Sequence, residues 1–146
     1  MTVKSESDFE ILLKIGSDFW YMTEFSGGEQ EHDTEAYPLG NVYGMEYIKG
    51  MPKVTEITIK APYDNSIHDP LRKRLQKICG EQVLIQVTPM KVCPEYEPDG
   101  EPTVYSKLSV TKIGSPQPNR GNSGTMIIEF GFNCGTMEVG GTATTL

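Results

Sequence analysis

Basic residues and histidine are scarce. Thirteen lysines and arginines stand against twenty acids, and the only histidines are His32 and His68. The formal charge of -7 and pI near 4.8 argue against a nucleic-acid-binding surface, which needs a cationic face to displace phosphate counterions. No run approaches the roughly 20 apolar residues that span a bilayer, so no membrane insertion by this chain is expected. The first residues, MTVKSESDFEILLKIG, lack the basic start, long apolar run and small-residue cleavage site of a secretory signal. Cysteine is sparse too. Cys79, Cys93 and Cys134 are an odd number, widely spaced and without a CxxC pair, which excludes a disulfide framework and a common zinc pattern. Free buried thiols in a reducing cytosol are expected.

What is present is globular. At 146 residues, with 37% hydrophobic and 23% charged, the chain suits one domain, 1–146, with one hydrophobic core. Residues 8–15 alternate, with Phe9, Ile11, Leu13 and Ile15 on one face and Glu10 and Lys14 on the other, the mark of a half-buried strand. The pattern fails over 19–52. There Gly27-Gly28, an acidic run (Glu29, Glu31, Asp33, Glu35), and Pro38, Gly40, Gly44, Gly50 and Pro52 leave a long loop without sustained period. Yet this loop carries Tyr37, Val42, Tyr43, Met45, Tyr47, Ile48 and Met51, too apolar for a solvated linker. It reads as an arm that packs on this subunit or the next.

Alternation returns over 53–60, with Thr55, Ile57 and Ile59 opposite Glu56, Thr58 and Lys60. A helix is predicted over 69–79. Asp69 would cap it, Pro70 would occupy its first position, Leu71, Leu75 and Ile78 would form its apolar stripe, and Gly80 would stop it. Arg72, Lys73, Arg74 and Lys77 form its other face. Residues 82–90 are apolar on both faces at their start, as in a central strand. Pro89, Pro94, Pro98 and Pro102 then break the chain through an acidic loop. Strands follow at 103–113, with Val104, Leu108 and Val110 inward, and at 125–134, with Met126, Ile128, Phe130, Phe132 and Cys134 on one face. The tail, 135–146, is small and polar and would fray by itself. Five strands and one helix make a mainly β protein: a β-sandwich or incomplete barrel with one flanking helix and a long extended loop.

The chemistry-bearing residues point away from catalysis. His32 lies in an acidic stretch and reads as a solvated charge partner; His68 reads as a turn residue or a partner of Asp64. A dyad of His68 with Cys79 would need contact across a helix of about 15 Å, beyond hydrogen-bond reach. Glu56 and Glu129 sit mid-strand on outward faces, where paired acid–base work competes with a plain solvated face. Glu31, His32, Asp33 and Glu35 lack the spacing of an EF-hand or zinc site. The glycines of GNSGT open no helix after a strand, so they do not cradle phosphate. Neither an enzyme nor a cofactor is expected.

The order of an APYD turn, an HDPLRKRL helix, a GEQVLIQVTP strand, a TVYSKLSV strand, a proline-rich loop with NRGNSGT, and MIIEFGF resembles the tail tube proteins of long-tailed bacteriophages. It is similar in plan to the tubes of contractile phage-like secretion systems. The resemblance runs from about Lys53 to Cys134, and 22–52 match by position and length alone. It implies hexameric rings stacked into a hollow tube through which DNA passes, with sheets joined around the lumen and the helix outside. It also implies a virion protein, made and assembled in the host cytoplasm. The partners would be further copies of itself and sheath, tape measure, terminator and baseplate proteins. Tyr37, Val42, Tyr43, Met45, Tyr47 and Ile48 would then meet neighbouring subunits, and Arg72, Lys73, Arg74 and Lys77 would face outward, to an acidic sheath in a contractile tail or to solvent in a flexible one. Six copies at -7 each give -42 per ring, and charge of that sign in a lumen repels phosphate instead of binding it. A baseplate or tail-end adaptor on the same fold is the alternative.

Overall fold

A computed structural model of the chain describes residues 4–5, 7–38, 45–91 and 95–140, with the backbone alone at 33, 35, 37, 38 and 45–51. The described elements run β1 (Phe9–Ile15), β2 (Asp18–Met22), β3 (Glu24–Ser26), β4 (Gln30–Pro38), β5 (Met45–Val54), β6 (Ile57–Pro62), α1 (Asn65–Gln76), β7 (Val83–Lys91), β8 (Glu97–Pro98), β9 (Thr103–Ser106), β10 (Ser109–Ile113), β11 (Ile127–Asn133) and β12 (Thr136–Val139). The mainly β expectation, with one helix, holds.

Two antiparallel sheets form the body. The first has the order β12-β9-β7-β1-β2, with β8 paired to the end of β7; the second has the order β10-β11-β6-β3. Alternation places Ile11, Leu13, Ile15, Val83 and Ile85 of the first sheet against Ile57, Ile59, Ile128, Phe130 and Phe132 of the second, all nearly inaccessible. This is the β-sandwich expected from the period-two patterning. Between these two sheets the chain crosses four times, through α1 from β6 to β7, from β11 to β12, and at two tight corners. At Thr23 it passes from β2 to β3, its amide bonding the Lys60 carbonyl at 2.9 Å. At Lys107 and Leu108 it passes from β9 to β10, with Lys107 held at φ 56. The predicted single strand over 103–113 is therefore two strands in different sheets. A left-handed residue turns the corner, which alternation alone does not register.

The helix starts earlier than predicted. Asp64, at φ -129, caps it by accepting the Ser66 amide, so Asp69 is not the cap and Pro70 lies in the second turn. There the proline forfeits one bond, to the Ser66 carbonyl. Asp69 instead accepts the Tyr63 hydroxyl at 2.7 Å. His68, Leu71 and Leu75 face the core. Ile78 packs on it from beyond the last turn, and Gly80 has the expected left-handed φ of 74. The central position foreseen for 82–90 is observed, since β7 lies between β1 and β9. Pro89 does not break it. It stays inside β7, opposite Phe9.

The largest departure concerns 19–52. In place of a loop, the chain forms β2, β3 and an antiparallel hairpin, β4–β5, which is a two-stranded sheet of its own. Its nine- and ten-residue strands extend roughly 30 Å at 3.4 Å per residue. Glycine and proline within 38–52 mask the alternation, and the ladder shifts register between His32 and Thr34. Residues 53–54 belong to β5, so the strand predicted at 53–60 starts at Ile57 and runs to Pro62. The tail is also ordered in part: 136–139 add β12 to the edge of the first sheet beside β9.

Candidate assembly surfaces

The hairpin is fastened at its foot, and its backbone ladder pairs β4 with β5. Gln30 lies opposite Val54, the Thr55 amide donates to the Glu29 carbonyl, and the Glu29 amide donates to the Thr55 hydroxyl, both at 2.9 Å. Gly27, at φ 82, passes so close to β6 that a Cβ would lie 1.9 Å from the Glu56 carbonyl oxygen. Gly28 is buried against Phe25 and Tyr105, whose rings are 5.2 Å apart. Burial pushes the Tyr105 hydroxyl's pKa up. These two glycines set where the ribbon leaves the body. A two-stranded ribbon is at best marginally stable in water without a third strand or a packed face. Tyr37, Met45, Tyr47 and Ile48 lie on its backbone; Val42 and Tyr43 lie outside the described residues.

The outward faces of the two sheets differ in chemistry. On the second sheet, Glu24, Lys60 and Glu129 stand side by side across β3, β6 and β11, and Lys112 bonds Glu129 from β10. The Lys112 hydrogen bond, with Lys60 at 3.7 Å, holds the Glu129 carboxyl below its ordinary range. Glu56 accepts from Thr111 at 2.7 Å. The two carboxylates singled out as an acid–base pair thus have separate partners, and Glu129 is held more firmly ionised than usual, unlike a general acid. The face is an alternating-charge ladder, stable in water.

On the first sheet, register puts Tyr21, Leu12, Gln86, Val104 and Glu138 in one row, whose middle three are buried, and Phe19, Lys14 and Leu84 in the next. Phe19 is 44% exposed, Tyr21 52% and Tyr96, which donates to Glu10 at 3.2 Å, 61%. Phe19 and Tyr21 meet edge-on with centroids 5.7 Å apart. The sequence showed apolar residues on both faces of β7 but did not show that β2 would add two rings to the same surface.

The helix does not present four equivalent cations. Arg74 is tied to Asp18 at 2.5 Å and Glu81 at 2.7 Å, which raises its pKa. Arg72 is half-buried, bonded to Asp69 at 3.3 Å. Lys73 and Lys77 are exposed. Sequence spacing could not show that Asp18 and Glu81, from distant segments, would converge on Arg74.

The remaining reactive groups stay apart. His68 is buried inside α1, with its Nδ1 accepting the Asp64 amide at 2.9 Å. It is a partner of Asp64, through the backbone. Desolvation lowers its pKa, opposed by the Asp64 and Asp69 carboxylates. Cys79 is exposed, contrary to the expectation of a buried thiol, because the helix ends before it; Cys134 is half-buried, with its thiol 3.0 Å from the Thr136 carbonyl. Cys93 lies outside the described residues. His32 is exposed on β4. Among the described residues, no three His, Cys, Asp or Glu side chains are grouped as metal ligands. A cavity of about 480 Å³ opens beside β3, with Phe9, Ile11, Phe25 and Val87 among its lining and only Glu24 and Lys60 charged. Two of its hydroxyls are turned to the backbone, Thr23 Oγ1 donating to the Lys60 carbonyl at 3.1 Å and Ser26 Oγ to the Thr58 carbonyl at 3.4 Å.

No family model matches the sequence, and no curated protein matches it. Solved structures do match in fold. One is a chain of the anti-feeding prophage baseplate, at TM-score 0.75 and 9% identity, covering 95% of this chain and 96% of that one. A chain of the anti-feeding prophage tube-terminating cap gives 0.74 at 14% identity, over 95% and 93%. A chain of the extended sheath–tube complex of the PVC extracellular contractile injection system gives 0.71 at 16% identity, over 88% and 86%. The fold is shared with chains of these assemblies. Coverage above 85% on both sides means that the sandwich, its helix and most of its appendages are shared as one unit.

Proposed function

We propose that the protein is a structural subunit, without catalytic activity, of a tail-tube-like assembly. Its copies form rings, six to a ring, that stack into a hollow tube. The near end-to-end fold match to components of contractile injection systems carries this reading. The hairpin supports it as well, because a two-stranded ribbon that forms a sheet of its own gains stability by packing on a neighbour. In a phage particle such a tube would conduct DNA, and the net negative charge suits passage without adhesion. Lys73 and Lys77 are the helix cations available to an acidic sheath, since Arg72 and Arg74 are engaged within the subunit. Assembly in a host cytoplasm and presence in the mature particle belong to the same reading.

The matches to baseplate and cap chains favour a second reading, a subunit at the end of the tube. Negative-stain microscopy of concentrated protein separates the two: long tubes support a tube-body subunit, and isolated rings or short stacks a terminal one. Joining Gln30 to Val54 through a two-residue Asn-Gly turn in place of 31–53 removes the ribbon at a cross-strand pair and leaves the body intact. This variant is expected to stay folded and lose higher assembly. A full-length chain that remains monomeric at every concentration tested refutes both readings.

A further inference from the structure

We infer that His68 pins an acid-released latch. While its imidazole is neutral, it holds the Tyr63–Asp64 turn against the first turn of α1, and through that turn one end of the 114–126 loop. Protonation lets both go. The latch lies within one subunit and holds whether or not copies form a tube.

The turn and the ring are bonded in both directions. The Asp64 amide donates to His68 Nδ1 at 2.9 Å, and the His68 amide donates back to the Asp64 carbonyl at 2.8 Å. The Asp64 carboxylate is occupied elsewhere, accepting the Ser66 amide at 2.9 Å and the Ser66 hydroxyl at 2.7 Å. One peptide unit upstream, the Tyr63 amide donates to the Met126 carbonyl at 2.8 Å. Met126 is the last residue of the loop that joins β10 to β11. The same helix holds the other end of that loop more loosely, with Arg72 reaching the Ser115 hydroxyl at 3.4 Å. Between these anchors, 117–125 are exposed and shaped by turns of their own, in which the Asn119 and Asn122 side chains accept the Gly121 and Gly124 amides.

A proton on this ring finds its acceptors already engaged. The neutral Nδ1 accepts; the imidazolium donates from both nitrogens, so it meets the Asp64 amide donor to donor. His68 is 3% exposed, which leaves little room for water to take over. The carboxylates that act on it are Asp64 and Asp69. Asp64 is in the helix cap, and Asp69 is clamped by the Tyr63 hydroxyl at 2.7 Å and by Arg72 at 3.3 Å. Lys73 also acts on Asp69, whereas Arg74 is turned to Asp18 and Glu81. The Tyr63 ring stacks on the imidazole, with centroids 6.1 Å apart, and the loop brings the uncharged Ser115 and Met126 to this cluster. A cation at His68 therefore draws the cap carboxylate from Ser66 or Asp69 from its clamp, and either loss loosens the turn that holds Met126. Burial pushes the ring's pKa down, opposed by Asp64 and Asp69. The latched form thus prevails at neutral pH, and the latch opens as pH falls below the ordinary histidine value of about 6.5.

The test uses the full-length chain with Cys79, Cys93 and Cys134 replaced by serine and one new cysteine carrying a nitroxide spin label. Electron paramagnetic resonance then reads local mobility in single subunits and large particles alike. For a label at Ser123→Cys, in the exposed loop, the correlation time should shorten at least twofold in one step between pH 8 and 5. A label at Glu138→Cys, exposed on β12, should show no step. The loop step should vanish in His68→Asn, whose amide oxygen can replace Nδ1 as an acceptor but does not titrate, and persist in His32→Asn. Its midpoint should coincide with the titration of the His68 ring, read by mass spectrometry from exchange of the ring's C2 hydrogen. That comparison needs no substitution at 68, so it decides the matter even if His68→Asn does not fold. Absence of the loop step, its survival in His68→Asn, or a midpoint apart from that of the ring overturns the latch. A step shared equally by both labels reports unfolding of the whole subunit and overturns it as well.

Discussion

Leu75→Ala tests how the helix is anchored. Leu75 is 2% exposed and packs beside Val83, Leu108 and Val110, where both sheets meet α1. Truncating a buried leucine costs about 2–5 kcal/mol, the lost transfer energy plus the cavity left behind. The contacts come from two sheets that cannot both close on the gap, so about 3 kcal/mol is expected. For a chain of this size, each kcal/mol lowers the melting temperature by about 2–4 °C, giving a fall of about 6–12 °C. Leu75→Asp goes further. It places a carboxylate among these apolar neighbours, and against a total stability of about 5–15 kcal/mol it should prevent folding. The assay is denaturant unfolding followed by circular dichroism at one fixed protein concentration, since self-association adds apparent stability. Exposed Gln76→Ala, next along the helix, should change stability by less than about 0.5 kcal/mol. A loss below about 1 kcal/mol for Leu75→Ala, or a soluble, folded Leu75→Asp protein, would show that this helix face is assigned wrongly.

His68 gives a pH dependence with a defined sign. Its Nδ1 must be unprotonated to accept the Asp64 amide, and burial lowers its pKa in the folded state. The unfolded chain therefore takes up the proton first, so stability is full above about pH 6.5 and falls as pH drops toward the lower folded value. Melting curves from pH 8 to 5 should show this loss in the wild type and a flatter profile in His68→Asn; equal slopes would refute the role. Gly27→Ala should cost more than about 2 kcal/mol, because the new Cβ meets the Glu56 carbonyl oxygen at a left-handed φ. Gly80→Ala, with open space around it, should cost only the backbone strain of about 1 kcal/mol in the same unfolding assay. Lys107→Gly should raise the midpoint by a comparable amount, because it relieves a non-glycine residue held at φ 56; a lower midpoint would show that the Lys107 side chain supports the corner.

Alternating residues alone determined the sheet faces. Ile11, Leu13 and Ile15, Ile57 and Ile59, and Ile128, Phe130 and Phe132 point inward because a strand turns every second side chain to the same side. One helix with Leu71 and Leu75 on its buried stripe was legible for the same local reason. Pairing beyond the local period was decided only in three dimensions. The β4–β5 ladder joins segments whose glycines and prolines hide the alternation, and β12 becomes a strand only because β9 offers an edge. The break at Lys107 depends on one backbone angle, and the ties of Arg74 to Asp18 and Glu81 depend on segments remote in sequence. A side chain's periodicity is written in its neighbours along the chain, whereas strand partners, sheet edges and the exposed aromatic face depend on which distant segments the fold brings together.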